Sequence, residues 1–181
     1  MKYDRFEDLP VWNKAIDLAE NVYFLTQHRF YRQPGDLCDQ MRRASLSVSN
    51  NIAEGFERGS TAELLFFLYI ARGSAGENRS MLHFCLRLLE RLAPQMLNQS
   101  EISNLKSQIS DLIPVAESCS RQIRAWADSL QNSDIKGQRH LNEQSRNAYD
   151  AERRRMDFQE RIREQFRQSH PELFREPHDE P

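Results

Sequence analysis

The sequence predicts an all-α protein: an up-down-up-down four-helix bundle over residues 1–130, with an additional charged C-terminal helix in residues 131–181. Three observations carry that reading. Apolar residues recur at steps of three and four in four successive segments. Short stretches holding Pro, Gly or capping residues separate the segments, which makes consecutive helices antiparallel neighbours. The 181 residues include only 6 Gly and 7 Pro, and no alternating strand pattern competes.

The first helix is expected from about Leu9 to His28, started by Asp8 and Pro10. Trp12, Ile16, Ala19 and Tyr23 form one stripe, and Leu18, Val22 and Leu25 a second beside it. Arg32-Gln33-Pro34-Gly35 reads as a loop. The second helix, about Asp36 to Glu57, carries Leu37, Met41, Ala44, Val48 and Ile52 on one face. Its Ser45, Ser47, Ser49, Asn50 and Asn51 are indifferent helix formers, so packing must hold it. Small side chains also admit a close neighbour, and Gly55 or Gly59 is expected to end the helix.

Ser60 and Glu63 have the capping-box spacing and open the third helix, which runs to about Leu92. Leu64, Leu65, Phe66, Phe67, Leu68, Tyr69 and Ile70 make it apolar all round. Such a helix is buried on more than one side, which points to core plus an oligomer interface. On that reading Phe66, Phe67 and Tyr69 are no stacking platform for RNA bases, since such platforms are exposed. Gly73 and Gly76 lie mid-helix, each costing about 1 kcal/mol against Ala, and are expected to mark close packing or a kink.

Ser100 is expected to cap the fourth helix. Ile102, Leu105, Ile109, Leu112, Ala116, Ile123 and Leu130 keep the helical period, with Trp126 adjoining and Pro114 expected to bend the helix. Composition then shifts. Residues 131–181 hold 21 charged side chains, against 31 in the first 130. Leu141, Ala148, Tyr149, Met156, Ile162 and Phe166 form a thin apolar stripe, and Asp150/Arg154 and Asp157/Arg161 are favourable i,i+4 pairs. This reads as one solvated helix, about Gly137 to Gln168, with a frayed Pro-rich end. It lacks the material for its own core and either docks on a partner or stands out into solvent.

The formal net charge of −2 excludes a strongly basic nucleic-acid binder by bulk charge, though not a local basic patch. Cys38, Cys85 and Cys119 fit no disulfide framework or zinc spacing, so a cytoplasmic location is the simpler reading. Residues 1–8 read as neither signal peptide nor anchor, and the longest apolar run, Leu64 to Ala71, is eight residues. The five His show no metal-ligand spacing, and no nucleophile elbow or phosphate-binding glycine loop is present. The expectation is therefore no enzyme, no cofactor, no metal and no small-molecule substrate.

The densest polar constellation lies on the second helix. Arg43, Asn50 and Glu54 share one face, Glu54 sits four residues from Arg58, and Glu77 faces them from the third helix. The favoured reading is a partly buried polar network that fixes helix register. If so, Glu54→Ala should cost about 3–5 kcal/mol. Arg42, off that face, is the better candidate for phosphate contact, with Arg43 beside it. Arg153, Arg154 and Arg155 are the second candidate, but acids surround them and a solvated, intrahelically paired face is favoured.

Taken together, Phe6-Glu7-Asp8-Leu9-Pro10-Val11-Trp12 with Ala15, Leu37, Gln40, Arg42-Arg43-Ala44, Ser49-Asn50-Asn51-Ile52-Ala53-Glu54-Gly55, Phe67-Leu68-Tyr69-Ile70-Ala71-Arg72-Gly73-Ser74 and Glu77 give a resemblance. The chain resembles the bacterial four-helix bundle family of proteins encoded in 23S ribosomal RNA intervening sequences. That family also includes the accessory variability determinant of diversity-generating retroelements. The match spans roughly residues 3–125 and leaves out the tail. The resemblance implies a ring-like homopentamer and, in the retroelement branch, a basic assembly that binds nucleic acid and partners a reverse transcriptase. The near-neutral bundle here departs from that branch.

Two functions follow. One is a non-enzymatic oligomeric accessory protein that associates with RNA or with an RNA-handling enzyme such as a reverse transcriptase. The other is a protein–protein interaction scaffold with no nucleic-acid role, whose C-terminal helix recruits a partner.

Overall fold

Pro10 opens α1 (Pro10–Leu25) because a first-turn residue needs no amide hydrogen. The computed structural model describes residues 3–32, 35–132 and 143–169. They form α1, α2 (Leu37–Glu57), α3 (Thr61–Leu92), α4 (Gln99–Gln131) and α5 (Glu143–Ser169), with short 3-10 turns and no strand among the described residues. The chain divides into two units, 1–139 and 140–181.

In the first unit, α1 packs on α2 and α4, and α3 packs on α2 and α4, which closes a four-helix ring of neighbours. Cross-links fix the antiparallel order. Asn78 of α3 reaches Met41 of α2, and Ser74 meets Ser47. Lys106, early in α4, pairs with Glu90 late in α3, while Gln131 at the end of α4 donates to the Tyr69 hydroxyl early in α3. The architecture is thus the expected up-down-up-down bundle.

Burial on α1 falls on Val11, Ala15, Leu18, Val22 and Leu25. The second of the two apolar stripes faces inward, and Tyr23 of the first is exposed. Trp12 instead packs edge-on against Phe6 at 5.1 Å between ring centroids, closing the entry to the helix. The α1–α2 connection carries Phe30 and Tyr31 into the core.

In α2, Met41, Ala44, Val48 and Ile52 are buried as expected. Ser45 and Ser49 are buried too, and each hydroxyl donates back to a carbonyl of its own helix, so neither is left unsatisfied. Gly55 does not end the helix; it lies within it, under α3. The helix ends at Glu57, and Gly59 falls in the three-residue turn that follows.

The Ser60 hydroxyl accepts from the Glu63 amide at 3.3 Å and donates to its carboxylate at 2.7 Å. α3 runs unbroken through Gly73 and Gly76. A Cβ on either glycine would meet nothing within 4 Å, so these two do not mark close packing in the chain. α4 is capped by Asn98 rather than Ser100. The Asn98 side chain accepts from the Glu101 amide and the Glu101 carboxylate accepts from the Asn98 amide, both at 2.9 Å. Arg29 donates to the same carboxylate at 2.8 Å and ties the α1–α2 connection to the start of α4. The Asn98 amide, then Arg29, hold the Glu101 carboxyl below the usual carboxylate range. α4 continues through Pro114, and its buried stripe adds Cys119 and Ala127 to the expected residues.

The second unit contains α5. Met156, Phe158, Ile162 and Phe166 are all exposed on it. Leu141 and the Pro-rich end lie outside the described residues.

Candidate functional surfaces

Arg42 is occupied. Its Nε donates to the Thr26 hydroxyl at 2.8 Å and its guanidinium lies 5.1 Å from the Tyr23 ring centroid. It also reaches the Thr26 carbonyl and sits 4.0 Å from Asp39. The guanidinium thereby ties the end of α1 to the start of α2, which is a structural task, and it is a weaker phosphate ligand than the sequence implied. It lines an apolar groove of about 500 Å³ with Ile16, Tyr23, Phe24 and Leu46.

The expected buried network is not formed within the chain. Arg43, Asn50, Glu54, Arg58 and Glu77 are all exposed. Arg43 and Glu77 line one open polar cleft of about 320 Å³ between α2 and α3, beside Ser47 and Ser74. Glu54 pairs only with Arg58, whose guanidinium also lies 5.0 Å from the Phe67 ring centroid. The reason is rotational: spacings of seven and four do place Arg43, Asn50 and Glu54 on one face, but Met41, Val48 and Ile52 claim the inner one. Glu54→Ala is therefore expected to cost about 0.5 kcal/mol or less in urea melts, as for a surface pair.

The apolar run of α3 is divided between core and surface. Leu64 and Leu68 are buried within the chain and are not available to a partner. Leu65 and Phe67 are half-buried, while Phe66 (61%), Tyr69 (45%) and Ile70 (38%) are exposed. Within one chain Phe66 and Tyr69 are thus uncovered, which leaves them to the interface half of the expectation. On α5, Arg154 and Arg155 are exposed, and the Arg153 side chain lies outside the described residues.

Buried polar chemistry lies elsewhere, in a pocket of the core the sequence did not single out. Asn78 is fully buried and donates to the Met41 carbonyl at 3.0 Å, leaving its own carbonyl oxygen without a partner. Nearby, the Cys85 thiol contacts the Met41 sulfur at 3.6 Å and the Cys38 thiol donates to the Tyr31 carbonyl at 3.0 Å. The Tyr31 hydroxyl is buried, and desolvation, then Cys85, drives its pKa upward. Burial also pushes the Cys85 and Cys119 thiols up to about 11. Neutral, buried thiols are poor nucleophiles, so these two residues pack rather than react. Among the described residues no group of His, Cys, Asp or Glu could hold a metal ion, and no helix is long and apolar enough to cross a membrane.

A basic ladder on α3 also went unremarked in the sequence. Arg72, Arg79, Arg87 and Arg91 have no carboxylate partner among the described residues, and His83 stands between Arg79 and Arg87. The cations of α4 differ: Lys106, Arg121 and Arg124 are paired with Glu90, Glu117 and Asp128. Its signal in the sequence is the four-residue step 79-83-87-91, which is less conspicuous than a contiguous arginine run.

These features define a helical bundle with open grooves and exposed apolar and basic surfaces. The chain belongs to the 23S rRNA-intervening sequence protein family, whose family model matches residues 7–118. It is also similar to a crystal structure of a protein with unknown function from the S23 ribosomal protein family of Bacteroides thetaiotaomicron. The two are 18% identical with a TM-score of 0.41, over 61% of this chain and 97% of that one. No curated protein matches the chain.

Proposed function

We propose that this chain is a non-enzymatic, homo-oligomeric accessory protein that associates with RNA or with an RNA-handling enzyme such as a reverse transcriptase. The observation that supports it is the outward apolar face of α3. Phe66, Tyr69 and Ile70 stand exposed at one end of a helix whose inner face is already filled. A second apolar patch, Tyr23, Phe24 and Leu46, lies on α1 and α2. Two different patches on one chain favour head-to-tail contacts, which close into rings when the rotation permits. The family resemblance supplies the number five, and the family's description supplies the link to ribosomal RNA genes.

The test is size-exclusion chromatography with light scattering. The wild-type chain should elute near five times 21.4 kDa. Phe66→Ser with Ile70→Ser should shift it to monomer at micromolar concentration while helicity is kept. A wild-type monomer would sink the assembly. Unchanged mass in the variant would place the interface elsewhere.

The scaffold reading has one observation of its own. Phe158, Ile162 and Phe166 recur at four-residue steps on α5 and are exposed, as a helix-in-groove ligand would be.

A further inference from the structure

We infer that the C-terminal half of α3 is a binding surface for single-stranded nucleic acid, holding phosphates on Arg79, Arg87 and Arg91 and stacking a base on Phe84. This rests on the RNA association proposed above and gives it a site. The argument starts from helix geometry. Each four-residue step advances about 6 Å along α3 and turns about 40°. Arg79, His83, Arg87 and Arg91 therefore form a shallow spiral about 18 Å long. It starts at half-buried Arg79, on the flank that α3 turns toward α4, and reaches the outer face at Arg91.

Charge sets the occupant. Glu90, the carboxylate among these residues of α3, is taken by Lys106 of α4. The arginines of α3 are left as surplus positive charge on a chain whose formal net charge is −2. A phosphodiester strand presents the complementary regular negative charge. Phe84 decides between single and double strands. It is 52% exposed, three residues before Arg87 and seven before Arg91, so its ring shares the outer face of α3 with the end of the cationic stripe. A duplex hides its base faces, whereas an unpaired base can stack there. The apolar residues offered for assembly, Phe66, Tyr69 and Ile70, occupy the other half of α3, so the two surfaces are separable.

The experiment is fluorescence anisotropy of the full-length protein with a labelled 20-nucleotide mixed-sequence RNA, at 50 to 200 mM salt. Arg79→Gln/Arg87→Gln/Arg91→Gln removes the charge while keeping an unbranched polar side chain of similar helix propensity. It should weaken binding at least tenfold at 50 mM and flatten the salt slope by about 2, three contacts at about 0.7 each. Phe84→Ala should lose about tenfold while leaving the salt slope unchanged. The same strand annealed into a duplex should bind more weakly than the single strand. Arg42→Gln, measured alongside, should change affinity less than twofold.

Wild-type binding that survives the triple substitution would overturn this site while leaving RNA association intact. No wild-type binding at 50 mM salt would overturn both. Equal capture of poly-glutamate would reduce the surface to a general anion patch and overturn the nucleic-acid assignment. Light scattering on each variant reports the assembly separately, and a Phe84→Ala variant that loses mass but not RNA affinity would overturn the stacking role.

Discussion

Asn78→Asp is expected to be the most damaging single substitution in the bundle at neutral pH. The Asn78 amide nitrogen donates to the Met41 carbonyl, and its oxygen is buried with no partner. A carboxylate there has no hydrogen to give. Its charge would face a carbonyl oxygen at the fully buried α2–α3 contact. Leaving a buried charge unpaired costs about 3–5 kcal/mol, a large share of the stability of such a domain. The new group would escape by staying protonated, so its folded pKa would rise well above the ordinary value of about 3.9. The sign follows: the unfolded chain loses its proton first, and stability falls as pH rises from the unfolded pKa to the folded one. Urea melts should show the variant close to wild type near pH 3.5 and several kcal/mol weaker at pH 7. Asn78→Leu has the same branching but bulkier methyl groups, so it should lose about 1–3 kcal/mol by overpacking, equally at both pH values, because it carries no titratable group. An Asn78→Asp deficit that does not change with pH would show that water reaches the site.

The four bundle helices were legible because their apolar spacing is dense and their boundaries carry caps. Pro10, Ser60 and the stop before Pro94 needed only local chemistry, and so did the Asn98–Glu101 box, although Ser100 was read in its place. What periodicity does not give is the direction a face points. On α1 it drew two adjacent stripes that together make one wide apolar face. The buried line passes through Ala15, which neither stripe includes because a methyl group adds little hydrophobic signal. On α2 it grouped Arg43, Asn50 and Glu54 correctly and then assigned them to the wrong side.

The candidate site was less legible for the same reason. A contiguous run such as Arg42-Arg43 looks basic in print, yet adjacent residues lie about 100° apart on a helix and meet different neighbours. Arg42 is drawn into the α1–α2 contact by Thr26 and Tyr23. The arginines four and eight residues apart on α3 share a surface although print separates them. Asn78 shows the converse. It sits on the line of Ala71, Ala75, Leu82 and Cys85, and a polar residue within an apolar stripe was the mark of a buried amide.

The glycines invert the expectation most clearly, and they give the second large effect. Gly55→Ala should destabilise the bundle. The added Cβ would lie 2.8 Å from the Phe67 Cβ and 3.3 Å from the Leu64 carbonyl oxygen. Neither atom is the free end of a flexible side chain, so relief requires α3 to move off α2. Overpacking of this kind costs about 1–3 kcal/mol, and Ala recovers up to about 1 through helix propensity. A net loss of about 1–2 kcal/mol should lower Tm by several degrees. Gly73→Ala should do the opposite. Its Cβ enters open space in the chain, so only the propensity gain remains, up to about 1 kcal/mol. The pair also reads the assembly. Gly73 is exposed and lies three residues after Ile70 and four before Glu77, on the outward side of α3. If a second copy packs there closely, Gly73→Ala will lose stability and mass together, although the isolated bundle has room for the methyl group. Thermal melts of the double variant Phe66→Ser/Ile70→Ser, with and without Gly73→Ala, separate the two. A gain in that background with a loss in the intact assembly would assign the glycine to the contact between copies. A gain in both would leave it a solvent-facing position.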